Sequence, residues 1–133
     1  MSGETDLQKL LGAMQPDLAP EVFVFVTVPH GVAADIEAQM MFRESEGLAL
    51  IVTEEAARKA GLAAIFPCRK VTLDIHSSLD AVGFMAAITT RLAERGIGVN
   101  PVSAYFHDHL FVPAERAEEA VAILEQLAAE ARA

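Results

Sequence analysis

Cysteine is nearly absent: Cys68 is the only one in 133 residues. A lone thiol cannot build a disulfide framework, which fits a reducing cytoplasm. Within Phe66-Pro67-Cys68-Arg69 it reads as a strand-start packing residue, since no motif around it supports a nucleophile. Basic residues are scarce too, with ten Lys and Arg against 19 Asp and Glu. The resulting net charge of −9 argues against partners recognised through phosphate, so neither nucleic acid nor an anionic membrane is expected. No apolar run approaches the ~20 residues of a membrane-spanning helix. The acidic start, with Glu4 and Asp6, lacks the basic segment and apolar run of a secretion signal. Gly-x-Ser-x-Gly, the P-loop and the dinucleotide fingerprint are missing as well. The expectation is a cytoplasmic, non-catalytic protein without a cofactor.

Hydrophobic residues make up 53% of the chain. That is enough for one ordinary domain, or for two very small ones packed together, with apolar surface left for a homodimer or larger even oligomer. Thr5-Asp6-Leu7-Gln8 fits a capping box, and Leu7, Leu10, Leu11 and Met14 follow at helical spacing. Residues 21 to 28 are β-branched and aromatic on both faces, the pattern of a central strand. Two further strands, 38–43 and 48–52, flank a hairpin at Glu44-Ser45-Glu46-Gly47, and Thr53 caps a short helix closed by Gly61. Residues 63–67 mark a boundary between modules 1–64 and 65–133, the first with a shortened helix at 30–37. Beyond it, Val71, Leu73 and Ile75 alternate with Lys70, Thr72 and Asp74. A helix is expected over 79–95, with Val82, Met85, Ala86, Leu92 and Ala93 on its buried stripe. Asn100-Pro101 interrupts the next strand, so a bulge or a sheet edge is expected there. After a polar turn at 107–109, a strand at 110–112 leads through Pro113 into a last amphipathic helix.

The polar segment His76-Ser77-Ser78-Leu79-Asp80-Ala81-Val82-Gly83 and the turn His107-Asp108-His109 stand out against this apolar background. Crossover rules place both at the same end of one sheet. A helix start with free N–H groups attracts a carboxylate. Gly83, without a side chain, lets a ligand approach, and Asp80 or Asp108 would meet an ammonium group. A purely structural reading makes the serines N-caps, the glycine a packing residue and the histidine segment a polar turn. A third reading gathers His76, His107 and His109 into a three-nitrogen metal site, that of a metal-binding protein or a metal-dependent enzyme.

The βαββα order from residue 69 matches the ferredoxin-like fold. The wording Val71-Thr72-Leu73, His76 through Gly83, Gly96-Ile97-Gly98-Val99-Asn100, and Tyr105-Phe106-His107-Asp108-His109-Leu110-Phe111-Val112-Pro113 resembles an ACT domain. More narrowly it is similar to small bacterial proteins carrying tandem ACT-like modules with no attached enzyme. The resemblance implies an α+β fold of two βαββαβ modules, interlocked, with antiparallel sheets and helices on one face. It also implies a regulatory protein that binds an amino acid or related carboxylate between paired domains. The candidate ligand-binding residues are then His76, Ser77, Ser78, Leu79, Asp80, Val82, Gly83, Asn100, His107, Asp108 and His109. No fourth strand follows residue 131, so the strand at 21–28 is a candidate to fill that place from the other module.

Overall fold

The computed structural model describes residues 5–32 and 35–133. Along the chain run α1 (Leu7–Ala13), β1 (Pro16–Leu18), β2 (Phe23–Val28), β3 (Met40–Arg43), β4 (Leu48–Thr53), α2 (Glu54–Lys59) and β5 (Ile65–Leu73). They are followed by α3 (Phe84–Glu94), β6 (Asn100–Ser103), β7 (Asp108–Pro113), a 3₁₀ turn at Ala114–Arg116, and α4 (Ala117–Arg132). These elements form two units. One joins the chain up to Pro20 with Arg69–Ala133, and the other is Glu21–Cys68.

In the smaller unit β2 pairs with β4 from Phe23 opposite Thr53 to Val28 opposite Leu48, and β3 closes a hairpin on β4. The hairpin needs its glycine. Gly47 has φ +155°, and a Cβ there would sit 2.6 Å from the Val28 carbonyl oxygen. Thr53 Oγ1 accepts the Ala56 N–H at 3.1 Å, giving α2 the expected cap. Val24, Val26, Val28, Leu50, Val52 and Ala57 form the core of this unit. Cys68 is fully buried, donates to the Phe23 carbonyl at 3.3 Å, and burial pushes its thiol up to about 12. It is a packing residue, as its neighbours in sequence suggested. The shortened helix expected at 30–37 is not formed over its described residues, while positions 33 and 34 lie outside them. His30 is exposed, with Nε2 3.4 Å from the Ser45 carbonyl.

The larger unit has the strand order β1-β5-β7-β6, with the residues of β5 from Arg69 onward taking part. Beside Val71–Leu73 the fourth place is taken by Pro16–Leu18, antiparallel to them, while β2, the strand expected there, pairs with the earlier part of β5, Phe23 opposite Cys68 and Phe25 opposite Ile65, as well as with β4. Asp74 N–H to Gln15 and Ala19 N–H to Lys70, both 2.9 Å, extend that pairing at either end. Arg69 adds two guanidinium bonds to the Ala19 carbonyl. A three-residue strand ahead of Pro20 is too short to show alternation, so sequence pattern could not reveal it. β6 is the sheet edge expected from Pro101, which lies opposite Leu110.

All three helices of this unit share one core with Val71, Leu73, Leu110 and Val112, so they cover one face of the sheet. Two helix starts differ from expectation. At α1 the cap is Asp6 rather than Thr5, accepting from Lys9 N–H at 3.1 Å. At α3 the helix begins at Phe84 rather than 79, and the buried stripe is Phe84, Ile88 and Leu92. Val82, Ala86 and Ala93 are exposed instead. The cause is Gly83, whose φ of +91° reverses the chain immediately before the helix.

β7 begins two residues earlier than expected, and this divides its polar residues between two faces. Asp108 is opposite Ser103 and His109 opposite Val102, so Asp108 shares the helix-covered side with Leu110 and Val112 while His109 lies on the other. His109 Nδ1 is 2.9 Å from Thr72 Oγ1. Burial, then the positive Lys70 and the neighbouring His107, hold its imidazole below the ordinary histidine value against an opposing pull from Asp108.

Ile88→Ala is expected to cost about 2–5 kcal/mol, as for a buried aliphatic, and Val82→Ala to stay within about 0.5 kcal/mol; denaturant unfolding of both checks where α3 begins. The folded state binds fewer protons at His109 than the unfolded chain does. Its stability contribution is therefore complete above about pH 6.5 and is lost as pH falls through the lower folded value. His109→Gln should flatten the pH dependence of the melting temperature over that window.

Candidate functional site

At one end of the larger unit's sheet, Ser77 Oγ donates to Asp108 Oδ2 at 3.0 Å and Ser103 Oγ to Asp108 Oδ1 at 2.5 Å. Asp108 and Ser77 are each only 8% exposed, and Ser78 only 6%. Asp108 is there because alternation along β7 turns it toward the helices, just beyond the last apolar position, Leu110. Ser77 arrives from the loop after β5, whose turn is tied by Ser77 N–H to the Ile75 carbonyl at 3.0 Å. Ser78 Oγ accepts the Asp80 N–H at 3.0 Å, shaping the next turn. A cavity of about 110 Å³ lies against Asp108, lined by Ser77, Ser78, Leu79, Ala81, Phe84, Met85, Ser103 and Ala104.

Two charged features meet in this cavity. Phe84 and Met85 in its wall are the first residues of α3, and Gly83 supplies no side chain to cap their N–H groups. That end of the helix favours an anion. Asp108 favours a cation: among the described residues no Lys or Arg lies within ion-pair distance of it. A buried carboxylate held only by two hydroxyls retains acceptor capacity for an ammonium group.

The structure brings Ser77, Ser78, Leu79 and Asp108 together at the cavity and places Gly83 at the start of the helix that forms its wall. Leu79 is 71% exposed and Val82 85%, so both turn largely outward. Asp80 is exposed and contributes a backbone N–H to the Ser78 turn. Asn100 is elsewhere: it pairs with Phe111 at the far end of β6, three positions, or roughly 10 Å, from Ser103. The three histidines do not converge on one point. His109 is bonded to Thr72 on the opposite sheet face with its ring 6.3 Å from that of His107, His107 Nε2 is 3.6 Å from Asp74, and His76 packs against Phe106 with ring centres 5.4 Å apart. Among the described residues no three His, Cys, Asp or Glu groups converge as a metal site would require. Ser103, Ala81, Phe84, Met85 and Ala104 complete the lining and were not expected from sequence. Ser103 had a signal: with Asp108 it brackets the four-residue turn Ala104-Tyr105-Phe106-His107 and so faces it across the hairpin. A valine at position 83, sterically clear apart from Leu7 at 3.5 Å, would be strained by the positive φ and is not a neutral probe of the site.

Two family models match the chain, both described as ACT domain, one over residues 2–69 and the other over 65–126. No curated protein matches. Among solved structures, a protein of unknown function from Vibrio cholerae, described as a possible transport protein, is 42% identical. The match covers 92% of this chain and 95% of that one, with a TM-score of 0.83. The ligand-free regulatory subunit of aspartate kinase from Thermus thermophilus is 17% identical over 88% of this chain and 97% of its own, with a TM-score of 0.68. The corresponding Thermus flavus subunit, also 17% identical, aligns over 96% and 99% with a TM-score of 0.61. These two likenesses are of fold. With an ACT model on each half and a close relative aligned over almost its whole length, this chain belongs to the ACT-domain family and carries two such domains in tandem.

Proposed function

We propose that the protein is a non-catalytic regulatory module that binds a small amino acid or related ammonium carboxylate in the cavity at Asp108. The observation that carries this reading is the buried carboxylate of Asp108, held by Ser77 and Ser103 and without a Lys or Arg ion-pair partner among the described side chains. The ligand's ammonium group would take that place, and its carboxylate the uncapped start of α3. A volume near 110 Å³ and the apolar walls of Ala81, Phe84 and Met85 suit a short side chain. Of the two modules read from the sequence, 1–64 and 65–133, the second supplies every residue of this site. Cys68 is a buried thiol that donates to a backbone carbonyl and is pushed up to about 12 by burial, which supports binding rather than thiol chemistry. The aspartate kinase regulatory subunits that share the fold support a regulatory role. The exposed edge of β6 and the apolar Leu79, Val82, Tyr105 and Phe106 support a homodimer or larger even oligomer. Among the described residues no helix is long and apolar enough to cross a membrane; with the acidic charge and lone thiol this supports a cytoplasmic location.

A thermal-shift screen of the twenty amino acids on the full chain tests the ligand class. A binder at 100 times its dissociation constant adds about 2.7 kcal/mol, on the order of 10 °C here. Small amino acids should raise the melting temperature most, and hexanoate or hexylamine, each carrying one of the two charges, should do so least. Calorimetry on Asp108→Asn, which keeps the shape and loses the charge, should show binding weakened by roughly tenfold or more. Equal affinity in wild type and Asp108→Asn would overturn the assignment of the ammonium site.

A further inference from the structure

Ser77, Ser78, Leu79 and Ala81 line the cavity from the loop after β5, and Ser103 and Ala104 line it from the turn between β6 and β7. Both segments continue past the lining and meet again. His76, directly before Ser77, packs its ring on Phe106 at 5.4 Å with the planes tilted by 59°. Asp74 and His107, two residues before and one residue after that pair, stand 3.6 Å apart. Tyr105 adds an edge contact to Phe106 at 4.8 Å. None of this is core. Phe106 is 58% exposed and Tyr105 67%, so these rings add little to the stability of the fold. Hydrophobic burial alone would have placed them inside.

The far end of the first loop is Gly83, at φ +91° with a Cβ position free of close contacts, a residue able to absorb a change of backbone direction. The loop is therefore tied at its first end by side chains and ends in a glycine at the other. From this arrangement we propose that the His76–Phe106 stack is a latch between the two loops enclosing the cavity, so that the route to Asp108 opens when the rings part. The proposal rests on the reading of that cavity as a binding site. A contact of this kind contributes modestly, so the open form is a minor but accessible state at equilibrium.

Four amides report on the latch without any ligand. Ser77 N–H donates to Ile75, Ala81 N–H to Ser78, Ala104 N–H to His107, and Asp80 N–H to Ser78 Oγ, all at 3.0 Å. Native-state hydrogen exchange on the full chain is expected to show these four exchanging roughly three- to tenfold faster in Phe106→Ala. The Leu110 and Val112 amides in β7 should be unchanged. Phe106→Leu, which keeps apolar bulk without a ring, should give a smaller increase, and Asp74→Asn should add to the effect of Phe106→Ala. Unchanged exchange at the four amides, or an equal rise throughout the unit, overturns the latch. Faster exchange confined to the loops in a protein that binds none of the twenty amino acids upholds the latch and removes the binding reading instead.

Discussion

The larger unit depends on the two-residue alternation of β7 and on the register that fixes it. Leu110 and Val112 face the core shared by α1, α3 and α4, so Asp108 must face the same way. A slip of one residue would turn His109 and Phe111 toward the helices and empty the candidate site of its carboxylate. The turn holds the register through the Ala104 N–H bond to His107, and the Ser103–Asp108 pair holds it in side chains. One choice of register thus sets the core, the site and the opposite facing of Asp108 and His109.

Placing a carboxylate at the end of an apolar stripe carries an energetic cost, because burial removes hydration that two hydroxyl donors only partly replace. A fold optimised for stability alone would put an aliphatic side chain there, as it does at Leu110. In the proposed reading, the Asp108 carboxylate gives this end of the sheet its preference for an ammonium group. Helix α3 contributes the complementary half, since its first N–H groups have no side-chain cap, unlike those of α1 and α2, which Asp6 and Thr53 satisfy. The two capped helices close their own ends; α3 leaves its start available.

The two units use the same ingredients for different ends. Glu21–Cys68 has its own aliphatic core and a hairpin locked by Gly47, but among its described residues no carboxylate is buried. The larger unit takes a strand from the beginning of the chain to complete four strands, and its fourth place depends on Gln15, Ala19 and Arg69 bonding along β1. Chain connectivity and packing therefore divide the protein at different places.

Local chemistry was legible in the sequence wherever one interaction decides the outcome. The strand alternation at 70–75, the Thr53 cap, the glycine turn at 47, the burial of Cys68 and the edge position of Pro101 all follow from steric or hydrogen-bonding rules acting within a few residues. The polar clusters at 76–80 and 107–109 were visible for the same reason, and the ACT pattern over 70–113 followed from their wording. Other features required the folded chain. Ser77, Ser78 and Asp80 resemble helix caps, yet the left-handed turn at Gly83 delays α3, and only its packing selects Phe84, Ile88 and Leu92 over a stripe nearly one residue out of phase. Pro16–Leu18 has no pattern of its own and becomes a strand only beside Val71–Leu73. His107 and His109 keep their rings 6.3 Å apart, while His76 packs against Phe106 instead, so the three do not gather into one cluster. Ser103 joins Ser77 at Asp108 because cross-strand pairing is a long-range contact, which a linear pattern does not encode.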